Sequence, residues 1–394
     1  MDEIPSQENA LSALMITQGH PGYTAMGSAD AGGGTMTAWK SRQGTDALWD
    51  EYLAGVPGAH FYQTSMWAEV RKLDGWQPQI VLITRDGAVT GGFQVLTRSK
   101  PYIGKIGLVL KGPVVNSNDA AILNFAIRTL KNFASSNQAR ALIVQPPDRD
   151  RDMPEILLES GFSPSHLEHT IKNNTVVLDL RRDEESLFMS LKKKKRQNIR
   201  SAMRSGMIVR EGGKEDLGIF FSFMLETCKR QHVEPSPSSL EFLNKLWDLF
   251  SPTGNIRLFV SEYRDEIVSC LIVLPFGDTA YLWKFGWSGE HPRLFPNEII
   301  YWEIFKWARV NGYSCADMGI VGRDFANAVW NGDALADEDL KTYSRFKLTL
   351  GGEVLRLTEG FVYFSNPVLK RAFDCFMPLL VANPYLKNKI LFSE

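Results

Sequence analysis

The amino-acid sequence predicts a mixed α/β fold built from two similar units in tandem. Each half of the chain carries helical segments, strands joined by tight turns and a short apolar strand, in the same order. The chain has 394 residues, a length that suits about two to three domains. Its composition, with 44% apolar and 23% charged residues, is that of an ordinary globular protein. The matching order of elements in the two halves indicates a duplicated α/β unit.

The first half begins with two helical segments and continues into a strand meander. Thr64 or Ser65 caps the second helix. This helix carries Trp67 and Val70 at helical spacing, and a hairpin turn at residues 85–87 joins the first two strands. The predicted elements are helices at 47–54 and from 65 onward, strands at 79–84, 90–97 and 106–110, a helix at 120–136 and a strand at 141–145.

The second half repeats this order with longer helices. Its strand meander turns at Asp265. The predicted elements are a strand at 175–180, a helix or helix pair at 184–206, helices at 217–231 and 239–250, strands at 256–263, 266–274 and 280–285, a helix at 296–311 and a strand at 314–318. The shared order, rather than sequence identity between the halves, supports the duplication.

Four segments follow from this pattern. Residues 1–44 are rich in Gly, Ser, Ala, Thr and Gln and poor in large apolar residues, so we expect a disordered N-terminal segment. Residues 45–170 are predicted to form the first unit and residues 171–362 the second. Residues 363–394 mix apolar residues with Lys and Arg. We expect them to form helices that pack back on the first unit; the alternative is contact with a membrane surface.

Charge and cysteine usage exclude several classes of protein. The 44 Lys and Arg residues balance 45 Asp and Glu residues, which argues against a generally basic nucleic-acid binder but leaves room for a local basic groove. Four scattered cysteines and six scattered histidines predict neither a disulfide framework nor a metal centre. The chain has no secretory signal and no run of 18 apolar residues, so we expect a cytoplasmic protein.

The most strongly charged feature lies at residues 191–204, where seven basic residues occur without an acidic one. On a helix, Arg196, Arg200 and Arg204 share one face at i, i+4 spacing. Such a face suits phosphate-rich ligands such as transfer RNA, nucleotide sugars or anionic lipid headgroups. The alternative is an ordinary solvated helix face.

A second candidate site lies in residues 343–352, and its cation is Lys347. We interpret this segment as an apolar strand followed by Gly351 and Gly352. Lys347 in a cleft would stabilise developing negative charge; the alternative is a lysine on an edge strand. A third feature, the aromatic run at residues 281–288, is more typical of a core strand than of a ligand platform.

Several catalytic motifs are missing from the sequence. It contains no GxxxxGK[ST], GxSxG, HExxH or GxGxxG pattern. No spacing of Ser, Cys and His supports a catalytic triad, so a covalent nucleophile is not predicted.

Taken together and in order, these segments resemble the FemABX family of aminoacyl-tRNA-dependent peptidyltransferases, whose members carry two lobes of the GNAT acyltransferase type. The resemblance runs from about residue 46 to residue 375 and rests on an ordered series of short motifs. The matching segments are 61–71 with 75–76, 111–114, 178–180, 191–196, 199–200, 202–206, 281–288, 296–297 with 302, 312–317 with 319, and 346–347 with 351–352.

The resemblance implies two GNAT-like lobes and an amide-forming transfer of an aminoacyl group from transfer RNA to an amine of a cell-wall or envelope precursor. It implies that Lys347 stabilises the tetrahedral oxyanion and that Arg71 contacts substrate phosphate. An activated ester needs orientation and an electrostatic clamp rather than a nucleophilic side chain, which agrees with the missing triad. The remaining predicted substrate-binding residues are Phe285, Phe346, Arg196 and Arg200.

The chain departs from the family pattern at its acceptor site. Residues 231–237 contain no Arg that matches the family, and Phe285 stands where a Tyr is expected. Acceptors from exopolysaccharide or other envelope pathways therefore stay open. The expected partners are transfer RNA and a nucleotide- or lipid-linked envelope precursor, with peripheral contact to the inner membrane.

The donor follows from a missing motif. An acyl-CoA enzyme of this fold carries Gln/Arg-x-x-Gly-x-Gly/Ala where a loop enters a helix, so that backbone N–H groups hold the pyrophosphate. Residues 285–299 lack it. The sequence thus favours aminoacyl-tRNA over acyl-CoA, with no further cofactor. The alternatives are an acyl-CoA-dependent N-acyltransferase of exopolysaccharide or envelope biosynthesis, and a non-catalytic scaffold of the same fold.

Overall fold

The computed structural model describes residues 14–31, 33–100, 104–116, 119–148, 150–165, 173–335 and 342–382. The chain divides into two compact units, one formed by residues 1–171 with 358–394 and the other by residues 172–357. Each unit contains a mixed β-sheet covered by helices. The predicted mixed α/β class is therefore confirmed.

The first unit begins with a β-hairpin and continues through a strand meander. Its elements in chain order are β1 (Tyr23–Ala31), β2 (Gly34–Ser41), α1 (Ala47–Gly55), α2 (Ser65–Arg71), β3 (Gln77–Arg85), β4 (Ala88–Lys100), β5 (Gly104–Leu110), β6 (Val114–Val115), α3 (Ala120–Ser136), β7 (Ala141–Gln145), α4 (Met153–Glu159) and β8 (Ser163–Pro164). Side chains of Asp46 and Asp119 cap α1 and α3 by accepting from backbone N–H groups of the first turn.

The second unit follows, and the chain then returns to the first. The elements of the second unit are β9 (Asn174–Asp179), α5 (Glu184–Ser190), α6 (Lys193–Arg204), β10 (Ile208–Gly212), α7 (Leu217–Gln231), α8 (Leu240–Phe250), β11 (Arg257–Tyr263), β12 (Glu266–Phe276), β13 (Thr279–Trp287), α9 (Pro296–Val310), β14 (Cys315–Ile320), α10 (Arg323–Asn331), α11 (Tyr343–Thr349) and β15 (Glu353–Arg356). The returning elements are β16 (Phe361–Phe364) and α12 (Pro367–Ala382).

The two sheets share one arrangement. The strand order is β1-β2-β3-β4-β5-β7-β16-β8 in the first unit, with β6 on β4, and β10-β11-β12-β13-β14-β9-β15 in the second. Each sheet contains one parallel pair, β5 with β7 and β13 with β14, among antiparallel strands. Parallel neighbours need a crossover, which α3 and α9 supply.

The parallel pair of the second unit separates along its length. β13 and β14 pair only from Thr279 opposite Cys315 to Tyr281 opposite Asp317. Beyond that point β13 continues beside β12 to Trp287, whereas the end of β14 pairs with β9. The carboxyl ends of the two strands therefore diverge, and such crevices are where α/β sheets commonly bind ligands.

The predicted disorder of residues 1–44 is wrong for residues 14–31 and 33–44. β2 extends the sheet by pairing with β3 from Met36 opposite Arg85 to Lys40 opposite Val81. The few apolar residues of this segment fall where the sheet needs them, because Met36 and Trp39 are buried. Residues 1–13 and 32 lie outside the described residues.

The C-terminal part of the chain completes the first sheet. β16 pairs with β7 from Phe361 opposite Val144 to Phe364 opposite Ala141. The ring of Phe364 contacts Phe373 of α12, with ring centroids 4.8 Å apart. Residues 358–362, which the sequence assigned to the second unit, thus belong to the first. Residues 383–394 lie outside the described residues.

Within the part of the chain that the structure describes, no helix combines the length and the apolar character needed to cross a bilayer.

The N-terminal hairpin should contribute measurably to stability. The Tyr23 hydroxyl donates to Oδ1 of the buried Asp46 side chain at 2.9 Å. Tyr23→Phe removes this donor from a buried carboxylate, and we expect a loss of about 1.5–3 kcal/mol in the free energy of unfolding. Urea unfolding of the variant and of the wild type measures the difference.

Ser28→Ala is the matched control. It removes an exposed hydroxyl interaction with Thr37 within the same hairpin, so we expect a change below about 0.5 kcal/mol. Equal unfolding curves for wild type and Tyr23→Phe would contradict the importance of the buried hydrogen bond.

Candidate active site

Lys347 lies on a helix, not on the strand that the sequence suggested. The Thr342 hydroxyl caps α11 by accepting from the backbone N–H of Arg345. Gly351 ends the helix in the left-handed conformation with φ +87°, which suits a glycine. The helical spacing brings Lys347 next to Tyr343, four residues before it, and also brings Phe346 next to Tyr343, at a spacing of three residues.

The Lys347 side chain is buried, with 4% of the residue exposed. Its ammonium Nζ donates to the backbone carbonyl of Ile320 at 2.9 Å. The same Nζ lies 4.8 Å from the ring centroid of Tyr343. Burial lowers the pKa of Lys347 to about 8, while the Asp317 carboxylate opposes this shift. The group is therefore mostly protonated at neutral pH.

The backbone around this ammonium belongs to the diverging end of β14. Gly319 adopts φ +81°, and a Cβ atom added there would lie 3.6 Å from Lys347 Nζ. The Asp317 carboxylate accepts from the backbone N–H of Gly319 at 2.7 Å and from the Thr175 hydroxyl. This local network fixes the backbone that carries the Ile320 carbonyl.

An aromatic cluster lies beside the ammonium. The rings of Tyr343 and Phe346 are parallel, with centroids 5.9 Å apart and 8° between their planes. Phe285 stacks on Tyr343 at 6.0 Å, and Tyr301 meets Phe346 edge-on at 5.5 Å. The hydroxyls of Tyr301 and Tyr343 are hydrogen-bonded. Burial raises the pKa of both phenols, so both stay neutral.

The structure thus brings three of the predicted site residues together, namely Lys347, Phe346 and Phe285. Tyr301 and Tyr343 are partners that were not predicted from the sequence. For Tyr343 a signal was available, because it precedes Lys347 by four residues on what is a helix.

Arg196 has a structural role that the sequence did not indicate. Its guanidinium donates to the backbone carbonyls of Met189 at 3.0 Å and Leu191 at 2.5 Å. These carbonyls lie where α5 ends, so Arg196 satisfies a helix C-terminus. Arg200 is exposed, and its guanidinium carbon lies 5.1 Å from the ring centroid of Phe188.

A neighbouring lysine connects α6 to the aromatic cluster. Lys195 Nζ lies 4.1 Å from the ring centroid of Phe346 and 2.8 Å from Glu298 Oε1. The Asn198 amide donates to the same carboxylate oxygen at 2.9 Å. Glu298 lies in the first turn of α9 and is buried. This ion pair ties α6 to α9.

The remaining basic side chains of this region face solvent. They form what we call the basic surface, which consists of Lys192, Lys193, Lys194, Arg200 and Arg204. Among the described residues, none of them forms an ion pair. Its three lysines lie at the N-terminus of α6, where the helix dipole adds to their positive charge.

Arg71 belongs to the first unit, whereas the other predicted site residues belong to the second. Its Nε is 3.2 Å from Asp74 Oδ2, and its guanidinium carbon lies 5.8 Å and 5.9 Å from the rings of Trp67 and Trp76. Burial lowers the pKa of Arg71. The local surroundings thus place two indole rings within 5.9 Å of this cation.

Over the described ranges, no cluster of three or more His, Cys, Asp and Glu side chains has the arrangement of a metal site.

Known proteins resemble this chain in both sequence and structure. Residues 45–154 match the FemAB family, and residues 190–333 match the acetyltransferase (GNAT) domain. The lipid II:glycine glycyltransferase of Staphylococcus aureus is 23% identical over 221 residues, which are 54% of this chain and 52% of that protein. The chain therefore spans about half the length of the curated relatives it matches.

The crystal structure of FemX superimposes with a TM-score of 0.73 at 20% identity, covering 84% of this chain and 99% of that chain. This likeness confirms the predicted fold of two GNAT-like lobes.

The two arginines of α6 should differ in their effect on stability. Arg196→Ala leaves two carbonyls at the end of α5 without their donor, so we expect a loss of about 1–3 kcal/mol in unfolding free energy. Arg200→Ala removes one exposed cation–ring interaction, worth about 0.5–1 kcal/mol. Thermal unfolding followed by circular dichroism ranks the variants. A larger loss for Arg200→Ala would contradict the structural role of Arg196.

Proposed function

We propose that this chain is a member of the FemABX family and an acyltransferase that moves an aminoacyl group onto an amine of a cell-envelope precursor; the matches to the FemAB family, to the GNAT domain and to the lipid II:glycine glycyltransferase support this. The observation that carries the proposal is the buried ammonium of Lys347 beside the diverging ends of β13 and β14. A buried, largely protonated cation next to a crevice is suited to stabilising an oxyanion.

The reaction we propose needs no covalent intermediate on the enzyme. The acceptor amine attacks the carbonyl carbon of an activated ester, the new C–N bond forms, and the carbonyl oxygen becomes an oxyanion. The oxyanion then collapses back to a carbonyl, the ester C–O bond breaks, and the oxygen that leaves with the donor takes up the proton that the amine loses. Lys347 stabilises the oxyanion more than the planar carbonyl, which lowers the barrier.

The ammonium must stay protonated for this role. Lys347 has a pKa lowered to about 8 by burial. The catalytically competent form is therefore present below pH 8 and is lost as the pH rises through that value. Turnover should accordingly show an alkaline limb near this pH.

The start of α9 argues against acyl-CoA as the donor. Phe295, which precedes the helix, is in the left-handed conformation, and Pro296 at its first position has no N–H to offer. The buried Glu298 carboxylate already occupies the first turn. A pyrophosphate there would find one N–H group fewer, because of Pro296, and would lie near the Glu298 carboxylate. This supports a donor other than acyl-CoA.

The basic surface favours aminoacyl-tRNA as that donor. Its five exposed cations on or beside α6 suit a phosphate backbone better than a single small anion. Arg71 in the first unit is a further cation that we assign to substrate phosphate.

The acceptor we propose is a peptidoglycan precursor. The name of the matching relative, lipid II:glycine glycyltransferase, supports a lipid-linked precursor as acceptor. The protein would then act in the cytoplasm, with peripheral contact to the membrane that holds the precursor.

Replacing Lys347 tests the chemistry. Lys347→Met keeps the length of the stem and removes the charge, so we expect kcat to fall about 10²–10³-fold while donor binding stays unchanged. Lys347→Arg should restore only part of the rate, because a planar fork does not reproduce a point charge. The assay follows labelled aminoacyl groups from a tRNA pool into envelope-precursor extracts.

Lys245→Met is the control for Lys347→Met, because Lys245 is an exposed lysine of α8 in the same unit. It should retain the wild-type rate. Near-normal turnover of a folded Lys347→Met variant would exclude the oxyanion role.

The basic surface gives a separate prediction about the donor. Lys193→Glu together with Lys194→Glu should weaken tRNA binding and lower the slope of log K against log salt by about 0.7–0.9 for each phosphate that the variant no longer neutralises. Filter binding at several salt concentrations measures this slope. Lys245→Glu, a charge reversal elsewhere in the unit, should leave it unchanged. An unaltered slope in the double variant would indicate an ordinary solvated surface.

A further inference from the structure

The ammonium of Lys347 is held by uncharged groups at short range. One N–H bond goes to the Ile320 carbonyl, and the ring face of Tyr343 lies on another side at 4.8 Å. Aromatic faces attract cations, most strongly where water is excluded. A carboxylate in the same place would pair with the ammonium and cancel its field, whereas a ring stabilises the cation and leaves its charge available.

The Tyr343 ring is itself fixed on three sides. Phe346 stacks on it nearly parallel, Phe285 stacks at 6.0 Å, and its hydroxyl is hydrogen-bonded to Tyr301. Tyr301 is 1% exposed and belongs to α9, the crossover helix of the diverging strands. The ring therefore has little freedom to turn away from the ammonium.

We propose that Tyr343 is a positioning residue for acyl transfer, whose ring face holds the Lys347 ammonium against the Ile320 carbonyl and aims its remaining N–H bonds at the reacting oxyanion. This inference rests on the proposed role of Lys347. The helix spacing supports it, because side chains four residues apart on α11 lie one above the other.

The other charged and titratable groups near this ammonium come from three elements. Asp317 of β14 favours the charged form of Lys347. Tyr301 of α9 is neutral, because burial raises its pKa. Lys195 of α6 lies over Phe346 and is paired with Glu298. Tyr343, in contrast, lies on the same helix as Lys347, and its ring is 4.8 Å from the ammonium.

The test uses a readout that does not depend on any substrate. In the full-length protein labelled with ¹⁵N-lysine, the Nζ resonance of Lys347 is identified by its loss in Lys347→Met and followed against pH. Tyr343→Leu removes the ring face, and we expect the pKa of Lys347 to fall by about one pH unit. Tyr343→Phe keeps the ring and should stay within about 0.3 unit of the wild type.

Kinetics give the second readout. In Tyr343→Leu the alkaline limb of kcat should move to lower pH by the same amount as the Nζ titration. A misplaced ammonium should also lower kcat at pH 7 by about 10–100-fold, with KM changed less than about twofold. Trp330→Leu, which removes a ring lying 4.6 Å from the guanidinium carbon of another cation of this unit, Arg356, is the matched control and should leave the Nζ titration unchanged.

A second pair of variants protects the test if Tyr343→Leu does not fold. Phenylalanine and trifluorophenylalanine at position 343 have nearly the same shape, but fluorination weakens the attraction of the ring face for cations. The fluorinated form should show the lower Lys347 pKa.

Unchanged Nζ titration and an unchanged alkaline limb in Tyr343→Leu, or in the fluorinated form, would overturn the positioning role. A shifted titration in a protein without aminoacyl transfer would instead overturn the proposed function and leave Tyr343 as the residue that holds the ammonium.

Discussion

The candidate site of the second unit depends on one constraint, which is that the buried Lys347 ammonium must keep its charge away from water. Burial of an unpaired cation is costly, so the group either loses its proton or finds neighbours that replace water. At Lys347 the Ile320 carbonyl and the Tyr343 ring supply that replacement, and the Asp317 charge adds to it at longer range. The pKa stays near 8, which preserves the charge at neutral pH.

The fold meets this constraint by combining three elements. The end of β14 presents the Ile320 carbonyl beyond the point where β14 pairs with β13, and Gly319 beside the ammonium adopts the left-handed conformation. α11 supplies the cation and the ring on one face, and α9 fixes that ring through Tyr301. The first turn of α9 also carries the buried Glu298, which pairs with Lys195 of α6. Lys195 lies over Phe346, so this ion pair links the helix of the basic surface to the aromatic cluster.

The sequence predicted the strand meanders and long helices well, because their periodicity extends over many residues. It failed where short segments carry ambiguous patterns. The apolar positions 343, 346 and 350 fit a helix, whereas 346, 348 and 350 fit a strand, and seven residues are too few to decide between them. The N-terminal hairpin was missed because its few apolar side chains suffice only when β3 lies beside them.

Site chemistry was predictable by residue type but not by partner. The resemblance implied a catalytic role for the Lys347 cation, which stays a prediction, and the structure adds which groups hold its ammonium. The i, i+4 spacing correctly places Arg196 and Arg200 on one helix, but no spacing shows that α5 ends at Ser190 and that the carbonyls of Met189 and Leu191 recruit Arg196. Such interactions depend on where two elements meet in space.

Binding of a tetrahedral phosphonate analogue, compared with its planar amide counterpart, tests the central claim most directly. If Lys347 stabilises the oxyanion, the wild type binds the tetrahedral analogue more tightly than the planar one. Lys347→Met should then lose that preference while its affinity for the planar analogue stays the same. Equal loss of affinity for both analogues, or a preference that survives in Lys347→Met, would contradict the account.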